Sequence, residues 1–337
     1  MKILIVGLGV HAHHEIAWEK ALSKLGCQVF LYGYKKDLIG LKGYIKQRTL
    51  IFTEKINQNL IQKSKIIKPD IVFLYRAVLI NQKTIKSLQS RGIKVVFFNP
   101  DNCFSEDVRK MFWRFHKNSI RNYDHIFAYR QSCLREYNKQ GARSSSILKP
   151  YYVPWLHWKE KIKSFNDREY DICFIGHCEN DFRLKAINRI FNETNFKLLI
   201  CGRDWKRFSK NYNYRNCVKE PLLGEKYTEA ISNSKIALTF FSDWNRDLYT
   251  RRVWEIPAAG TVLASPITIP MLSILNFNEC LYFSNQEDIV EMLSPILNNE
   301  EHWYSLLKNC RERVSNEEYS ILGRAKEFLE IINAIFN

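Results

Sequence analysis

An arginine and a glutamate stand three residues apart in the stretch 247–264. That spacing places Arg252 and Glu255 on one face of a helix, and the glycine at Gly260 lets the helix stop and pack closely against the apolar strand that follows. Because proline cannot lie deep inside a regular helix, Pro257 predicts that the helix starts or kinks near Glu255. One cation suits a phosphate and one carboxylate suits a pair of sugar hydroxyls. The pair therefore predicts a site for a ligand that carries both groups.

Glycines follow two other predicted strands in the second half of the chain. Gly176 and His177 come directly after the strand 171–175, where their backbone amides could meet a phosphate. Gly202 follows the strand 196–201 and permits a close approach of the backbone. Two candidate phosphate contacts and one candidate base-stacking ring come next: Arg203, Lys206 and Trp205. An ordinary strand-to-helix loop with solvated charges is the alternative for this segment.

Three histidines, His11, His13 and His14, crowd the turn after the first predicted strand. Imidazole suits proton transfer near neutral pH, so His13 and His14 are candidates for a general base or an acceptor contact. Plain surface histidines are the alternative. A metal site is not expected, since three histidines so close in a turn cannot all reach one ion from a normal helix start. Asp101 follows a further strand and is the second candidate base, or else an N-cap.

Strands alternate with helices along the whole chain, which predicts parallel sheets covered by helices on both faces. The alternation is broken by prolines and a polar run and then restarts. We therefore predict an α/β protein with two Rossmann-like domains facing across a cleft. The predicted parts are an N-terminal domain, a linker, a C-terminal domain and a final amphipathic helix: residues 1–155, 156–168, 169–316 and 317–337.

The first strand runs directly into a Gly-x-Gly-x-x-Ala loop that spans residues 7–12. This loop fits half of the dinucleotide-binding fingerprint, but residues 32–34 lack the acid that would bind a ribose. A nicotinamide or flavin site is therefore one interpretation. Glycines that only allow a tight turn and close helix packing are the other.

The composition is that of a globular chain with a strong positive field. Among 337 residues, 51 Lys and Arg face 35 Asp and Glu, which gives a net charge of +16 and favours anionic partners. Nucleic acid is not expected as the main partner, because the basic residues are scattered and form no recognisable motif. Nine cysteines without a Cys-x-x-Cys pair argue against disulfides and structural zinc, and thus for a reducing cytosol.

No segment reaches the length of a membrane span, and the apolar N-terminus resembles a buried strand more than a signal peptide. A helix predicted over 106–120 interleaves basic and aromatic residues within 109–117. Such a face can lie on an anionic membrane, although aromatics at this spacing also form core. Any membrane contact would thus be peripheral.

The residues around Arg252 and Glu255 resemble the donor-site segment of GT-B glycosyltransferases, and most of all the CgeB-like, spore-maturation-protein type. The segment 174–176 with Arg183, and Tyr227 with the strand that follows it, resemble further landmarks of that family. The likeness covers roughly residues 169–330. It implies that Glu255 holds ribose hydroxyls and Arg252 the diphosphate, with Gly176, Arg183, Gly202, Arg203 and Tyr227 as further donor-site residues. It also implies that the final helix crosses back to the first domain.

The resemblance implies a cytoplasmic, metal-independent glycosyltransferase that needs no cofactor and contacts the inner face of the membrane at most peripherally. Its donor would be a nucleotide-sugar, and its acceptor a glycan, a lipid-linked molecule or a protein, in bacterial surface polysaccharide or glycoconjugate biosynthesis. Two other enzymes fit the same pattern. A nucleotide-sugar epimerase could share the fold and donor site, and an NAD(P)-dependent oxidoreductase would use the N-terminal glycine loop.

Overall fold

The computed structural model describes residues 1–9, 12–105, 110–210 and 212–336. The chain divides into two compact units. The first unit holds Met1–Lys149 together with the C-terminal segment from Ile321, and the second holds Pro150–Ser320. Residues 156–168, for which we predict a linker, belong to the second unit. The buried guanidinium of Arg168 explains this, because it donates to backbone carbonyls of Ser234 and Gly260 at 2.8 Å each.

The first unit is a six-stranded parallel sheet in the order β2-β1-β3-β4-β5-β6. Its strands are β1 (Lys2–Gly7), β2 (Gln28–Gly33), β3 (Ile71–Tyr75), β4 (Lys94–Asn99), β5 (His125–Ala128) and β6 (Ser145–Ile147). Its helices are α1 (Ala12–Lys24), α2 (Gly40–Thr49), α3 (Glu54–Ile67), α4 (Gln82–Gln89), α5 (Arg114–Ser119) and α6 (Gln131–Lys139).

The C-terminal helix, Ile321–Phe336, packs on the sheet of the first unit. Its Phe328 ring lies 4.9 Å from the ring of Phe73 on β3 and 5.6 Å from that of Trp18 on α1, measured between centroids. All three side chains are fully buried. Their burial supplies the apolar area that fixes this helix to the sheet.

The second unit is also a six-stranded parallel sheet, in the order β12-β11-β10-β7-β8-β9. Its strands are β7 (Tyr170–Ile175), β8 (Leu198–Cys201), β9 (Val218–Lys219), β10 (Ser234–Leu238), β11 (Val262–Pro266) and β12 (Leu281–Phe283). Its helices are α7 (Pro154–His157), α8 (Arg183–Glu193), α9 (Trp205–Phe208), α10 (Glu225–Ser232), α11 (Arg252–Ala258), α12 (Ile269–Ile274), α13 (Ile289–Leu297) and α14 (Glu300–Val314).

Each sheet reverses its strand order at one point, between β1 and β3 in the first unit and between β7 and β10 in the second. In open parallel sheets, ligands bind outside the carboxyl ends of the strands at such a switch point. The loops that follow β1, β3, β7 and β10 are therefore the places where functional side chains are expected. The α/β class and the two parallel, Rossmann-like sheets predicted from the sequence are confirmed.

Two local predictions are changed by the structure. Of the two alternatives for Pro257, a helix start near Glu255 is excluded, because α11 begins at Arg252 and contains the proline. The proline falls in the last turn of a short helix, where only one backbone hydrogen bond is lost. Of the helix predicted over 106–120, the described residues 110–120 contain only α5, and residues 106–109 lie outside the described residues.

Candidate functional site

The carboxylate of Glu255 on α11 is buried, with 6% of the residue exposed. The hydroxyl of Tyr227 on α10 donates to its Oε2 atom at 2.9 Å. The Nε atom of Arg251 lies 3.6 Å from its Oε1 atom. The structure thus brings together Glu255 and Tyr227, both predicted donor-site residues, and adds Arg251, which we did not predict.

A buried carboxylate is costly unless its charge is compensated. Burial acts to raise the pKa of Glu255, but His157, Arg251, Arg252 and the Tyr227 hydroxyl outweigh it and hold the pKa below its usual value. Burial raises the pKa of Tyr227 well above its usual range, and the Glu255 charge adds to that shift. Glu255 is therefore ionised at neutral pH and accepts hydrogen bonds.

His157 on α7 is a member of this cluster that sequence reasoning missed. Its Nδ1 atom accepts the backbone N–H of Val153 at 3.0 Å, so in the neutral ring the proton is on Nε2. Burial lowers the pKa of His157, and the Glu255 carboxylate opposes that shift. No spacing rule links residue 157 to residue 255, because α7 and α11 meet only in the fold.

Arg252 reaches the carboxyl end of β7, where its Nε atom donates to the carbonyl of Ile175 at 3.1 Å. Its Nη2 atom lies 3.0 Å from the position that a Cβ atom on Gly176 would occupy. The missing side chain at Gly176 therefore makes room for the guanidinium. Arg252, predicted to bind a diphosphate, accordingly stands at the switch point of the second sheet.

The two predicted glycines pack against each other and do not present free amides. The amide of Gly176 donates to Cys201 at 2.9 Å and that of Gly202 to Lys219 at 3.2 Å. A Cβ atom on Gly202 would lie 1.8 Å from the carbonyl oxygen of Gly176. The close approach predicted for Gly202 is thus an approach to the protein's own backbone. The Gly176 amide already donates to Cys201, so it is not available to donate to a phosphate.

Trp205, the predicted base-stacking ring, is fully buried and donates from Nε1 to the carbonyl of Gly176 at 2.8 Å. Stacking on a nucleobase is therefore wrong for this residue, because its ring is part of the core. Arg203 is exposed after β8, as a phosphate contact requires. Lys206 is exposed as well and lies 3.7 Å from Glu220.

Arg183 at the start of α8 is buried and bound to its own loop. Its Nη2 atom lies 2.7 Å from Asp181 and 3.5 Å from Glu179, and its Nη1 atom donates to the carbonyl of His177 at 2.9 Å. The Glu179 carboxylate in turn accepts the hydroxyl of Ser242, which follows β10, at 2.9 Å. Arg183 therefore ties together the loops after β7 and β10, and its guanidinium is already paired.

In the first unit, His14 and Asp101 lie beside residues at the end of β3, and His13 lies beside His14. The ring of His14 stacks on Tyr75 at 6.2 Å between centroids, and the His13 ring lies 4.0 Å from that of His14. Asp101 forms an ion pair of 2.5 Å with Arg76, the residue after Tyr75. His11 lies outside the described residues. The alternative role of Asp101 as a helix N-cap falls next to residues 106–109, which are likewise outside them.

Glu15 on α1 is a buried carboxyl group that we did not predict as a site residue. Its Oε1 atom accepts the backbone N–H of Gly9 at 3.0 Å and occupies the space where a side chain on Gly7 would be, 1.9 Å from that Cβ position. Burial raises the pKa of Glu15, and the Gly9 hydrogen bond only partly opposes this. The signal was present in the sequence, since the acid lies in the first turn after the glycine loop.

Among the described residues, no group of three or more His, Cys, Asp or Glu side chains could hold a metal ion, and no helix is long and apolar enough to cross a membrane. All nine cysteines are free thiols. The aromatic face predicted for membrane contact belongs instead to the core: Trp113 is 4% exposed, and Phe112 and Phe115 pack against the core of the first unit.

Comparison with known proteins agrees with this geometry. A family described as Glycosyl transferase-like matches residues 182–330. Sucrose-phosphate synthase from Thermosynechococcus elongatus has a similar structure, with a TM-score of 0.73, 12% identity and coverage of 100% of this chain and 99% of the other. Anabaena HepE in complex with UDP and glucose gives a TM-score of 0.69 at 9% identity, covering 99% of this chain and 100% of HepE.

A UDP-N-acetylglucosamine 2-epimerase from Listeria monocytogenes, described as putative, gives a TM-score of 0.60 at 12% identity, covering 99% of this chain and 96% of the other. No curated protein sequence matches the chain. The fold is therefore the GT-B fold of two Rossmann-like domains, and the second half of the chain matches a glycosyl transferase-like family. The narrower CgeB-like resemblance stays a prediction.

We expect Tyr227→Phe to destabilise the protein at neutral pH. Loss of a hydrogen bond to a charged group costs about 1.5–3 kcal/mol, or roughly 3–10 °C in Tm. Because the pKa of Glu255 is lowered by folding, this stabilisation is present above its unfolded pKa and is lost as pH falls through the folded value. In thermal melts, the difference in Tm between Tyr227→Phe and wild type should become smaller from pH 7 to pH 3. Tyr304→Phe, at an exposed tyrosine, should show no difference at any pH.

We expect Glu15→Gln to stabilise the protein above neutral pH. Folding raises the pKa of Glu15, so its contribution is favourable below the unfolded pKa and is lost as pH rises through the folded value. The amide oxygen can still accept the Gly9 N–H. Tm should therefore rise by a few degrees at pH 8 and change little near pH 4. A lower Tm at pH 8, or the same gain in Glu19→Gln on the same helix, would contradict this.

Proposed function

We propose that the protein is a glycosyltransferase that moves a sugar from a nucleotide-sugar donor to a glycan, lipid-linked or protein acceptor, in bacterial surface polysaccharide or glycoconjugate biosynthesis. The observation that carries the proposal is the ionised, enclosed Glu255 beside Arg252 at the switch point of the second sheet. The family match over residues 182–330 contains both residues and supports the reaction class. The CgeB-like subfamily is part of the proposal.

The donor is bound by residues of the second unit. Glu255 accepts the ribose hydroxyls, and Tyr227 and Arg251 hold its carboxylate in place. Arg252 binds the diphosphate, and exposed Arg203 offers a second cation. These cations neutralise the leaving diphosphate, so the reaction needs no metal ion or other cofactor. A uridine diphosphate sugar is the first donor to test, since structures of HepE are described as complexes with UDP and UDP-glucose.

The acceptor hydroxyl is prepared by a residue of the first unit. His14 and His13 are candidates for the general base, as is Asp101, whose carboxylate is held by Arg76 at 2.5 Å. An ion pair of this kind fixes the orientation of a carboxylate that accepts a proton or hydrogen-bonds a hydroxyl. All three side chains follow strands of the first sheet at its carboxyl edge or stand in the turn beside it.

Two alternatives differ in how well the structure supports them. A UDP-N-acetylglucosamine 2-epimerase activity is favoured by shared fold, since such enzymes are among the similar structures. A dinucleotide site in the first unit is disfavoured by Glu15, whose carboxylate already takes the Gly9 N–H. A pyrophosphate at that loop would meet a buried acid in place of a free amide.

The proposed donor site predicts that substitutions at Glu255 and Arg252 change the affinities for UDP and uridine differently, as measured by calorimetry. Glu255→Gln should weaken both by about 10- to 100-fold, because a charged hydrogen-bond acceptor of the ribose is lost. Arg252→Gln should weaken UDP alone, because uridine has no phosphate. Glu225→Gln, at an exposed glutamate of the same unit, is the control. Wild-type UDP affinity in a folded Glu255→Gln protein would contradict the assignment of Glu255 to the ribose hydroxyls.

The reaction itself is tested by incubating UDP-sugars with and without cell-surface glycan acceptors. A transferase releases UDP and labels the acceptor, whereas an epimerase converts the sugar with no acceptor present. Asp101→Asn and His14→Asn identify the base: loss of an effective general base should lower kcat by roughly 100-fold or more while leaving UDP affinity unchanged. Sugar conversion without acceptor would overturn the transferase in favour of the epimerase.

A further inference from the structure

Residues 35–55 form a basic and apolar projection of the first unit, which we call the α2 segment. It contains α2 and the turns on either side of it. Five large apolar side chains in it are each between 52% and 76% exposed. They are Ile39, Leu41, Tyr44, Ile51 and Phe52. Single exposed apolar residues are common on protein surfaces, but a contiguous group of this kind marks an interaction site.

The charges of the α2 segment are almost all positive. Six basic residues face two acidic ones within it. The basic residues are Lys35, Lys36, Lys42, Lys46, Arg48 and Lys55, and the acidic ones are Asp37 and Glu54. The guanidinium of Arg48 also lies over the ring of Tyr44, at 4.4 Å from its centroid. Apolar and basic groups are therefore interleaved on one exposed element.

The exposure follows from how the segment is fixed. Leu38 and Leu50 pack into the core of the first unit, so the inward positions of the segment are already filled. A Cβ atom on Gly43 would lie 2.0 Å from the carbonyl carbon of Leu38, and the Lys46 ammonium donates to the carbonyl of Asp37 at 2.9 Å. Left-handed backbone at Leu50 and at Phe52 then turns the chain sharply after α2. The segment is thus anchored through Leu38 and Leu50, and the five exposed apolar side chains of α2 and its flanking turns are not needed to hold it in place.

We propose that the α2 segment docks on the surface of an anionic lipid membrane. A segment that presents apolar side chains among lysines and arginines can bind such a surface by burying the apolar groups at the headgroup boundary while the cations meet anionic lipid. Nucleic acid would match the positive charge, but it would leave the five exposed apolar side chains of the α2 segment without a partner. The basic excess over acids provides the charge complementarity that selects an anionic bilayer.

The location adds a consequence that rests on the proposed function. The α2 segment begins directly after β2, and the Cβ atom of Lys35 lies 3.2 Å from the position of a Cβ on Gly9. Gly9 belongs to the loop after β1, the loop that leads to His13, His14 and Glu15. Docking through this segment would bring the carboxyl edge of the first sheet close to the bilayer, where a lipid-linked acceptor resides.

The test is co-sedimentation of the purified full-length protein with vesicles, without any donor, so that its outcome is separate from glycosyl transfer. We expect binding to vesicles of phosphatidylcholine with phosphatidylglycerol, weak binding to phosphatidylcholine alone, and loss of binding at high salt. Ile51→Ser with Phe52→Ser should weaken binding at least about tenfold. Lys36→Gln, Lys42→Gln and Arg48→Gln together should weaken it by about fivefold per charge at low salt.

Matched controls separate docking from general charge and folding. Ile66→Ser changes an apolar residue that is 82% exposed on α3 of the same unit, and should bind as wild type. Lys65→Gln, Lys83→Gln and Lys86→Gln remove the same charge from exposed positions elsewhere. The proposal is overturned if wild type ignores anionic vesicles, if the control triple loses as much binding as the α2 triple, or if Ile51→Ser with Phe52→Ser binds like wild type while its Tm is unchanged.

Discussion

The buried Glu255 carboxylate and the groups that stabilise its charge determine how helices are arranged at the carboxyl edge of the second sheet. Glu255 is ionised although it is buried, so the Tyr227 hydroxyl and the Arg251 guanidinium must be held within reach of it. Those groups come from α10 and from the residue before α11, and His157 adds α7. Removing one partner of a buried charge costs more than the pair contributes, because the other charge is left unpaired. The relative placement of three helices is thereby tied to one anion.

The two sheets share one architecture but use their carboxyl edges in opposite ways. In the second unit, Arg252 brings positive charge to the end of β7 through the space left by Gly176. In the first unit, the comparable loop after β1 brings a negative group, because the Glu15 carboxylate takes the Gly9 amide. The Arg252 guanidinium attracts a phosphate group, whereas the Gly9 amide already donates to Glu15 and is not available to a phosphate. The cation at the end of β7 is the observation on which the proposed diphosphate site rests.

The sequence predicted the sheets well because strands buried on both faces are continuous apolar runs, and these do not depend on distant contacts. It also singled out Glu255 and Tyr227, which the structure brings into contact, and Arg252 at the end of β7, from a local helix face and a family pattern; their donor-site role stays a prediction. It could not predict His157 or Arg76, since their partners are far away in the chain and meet them only after folding. It assigned a stacking role to Trp205 because an aromatic residue after a strand gives the same pattern whether its ring faces solvent or the core. It assigned a ligand role to Arg183 through the family resemblance, which did not show that its guanidinium pairs with its own loop.

The two buried acids, Glu15 and Glu255, show how environment divides roles between identical side chains. Around Glu255, two arginines, a histidine and a hydroxyl outweigh burial, so it remains an anion that can only accept hydrogen bonds, as ribose hydroxyls require. Around Glu15, a single backbone amide does not outweigh burial, so its pKa is raised. Two identical side chains thus have their pKa values moved in opposite directions, because Glu255 has cationic partners and Glu15 has only the neutral Gly9 amide.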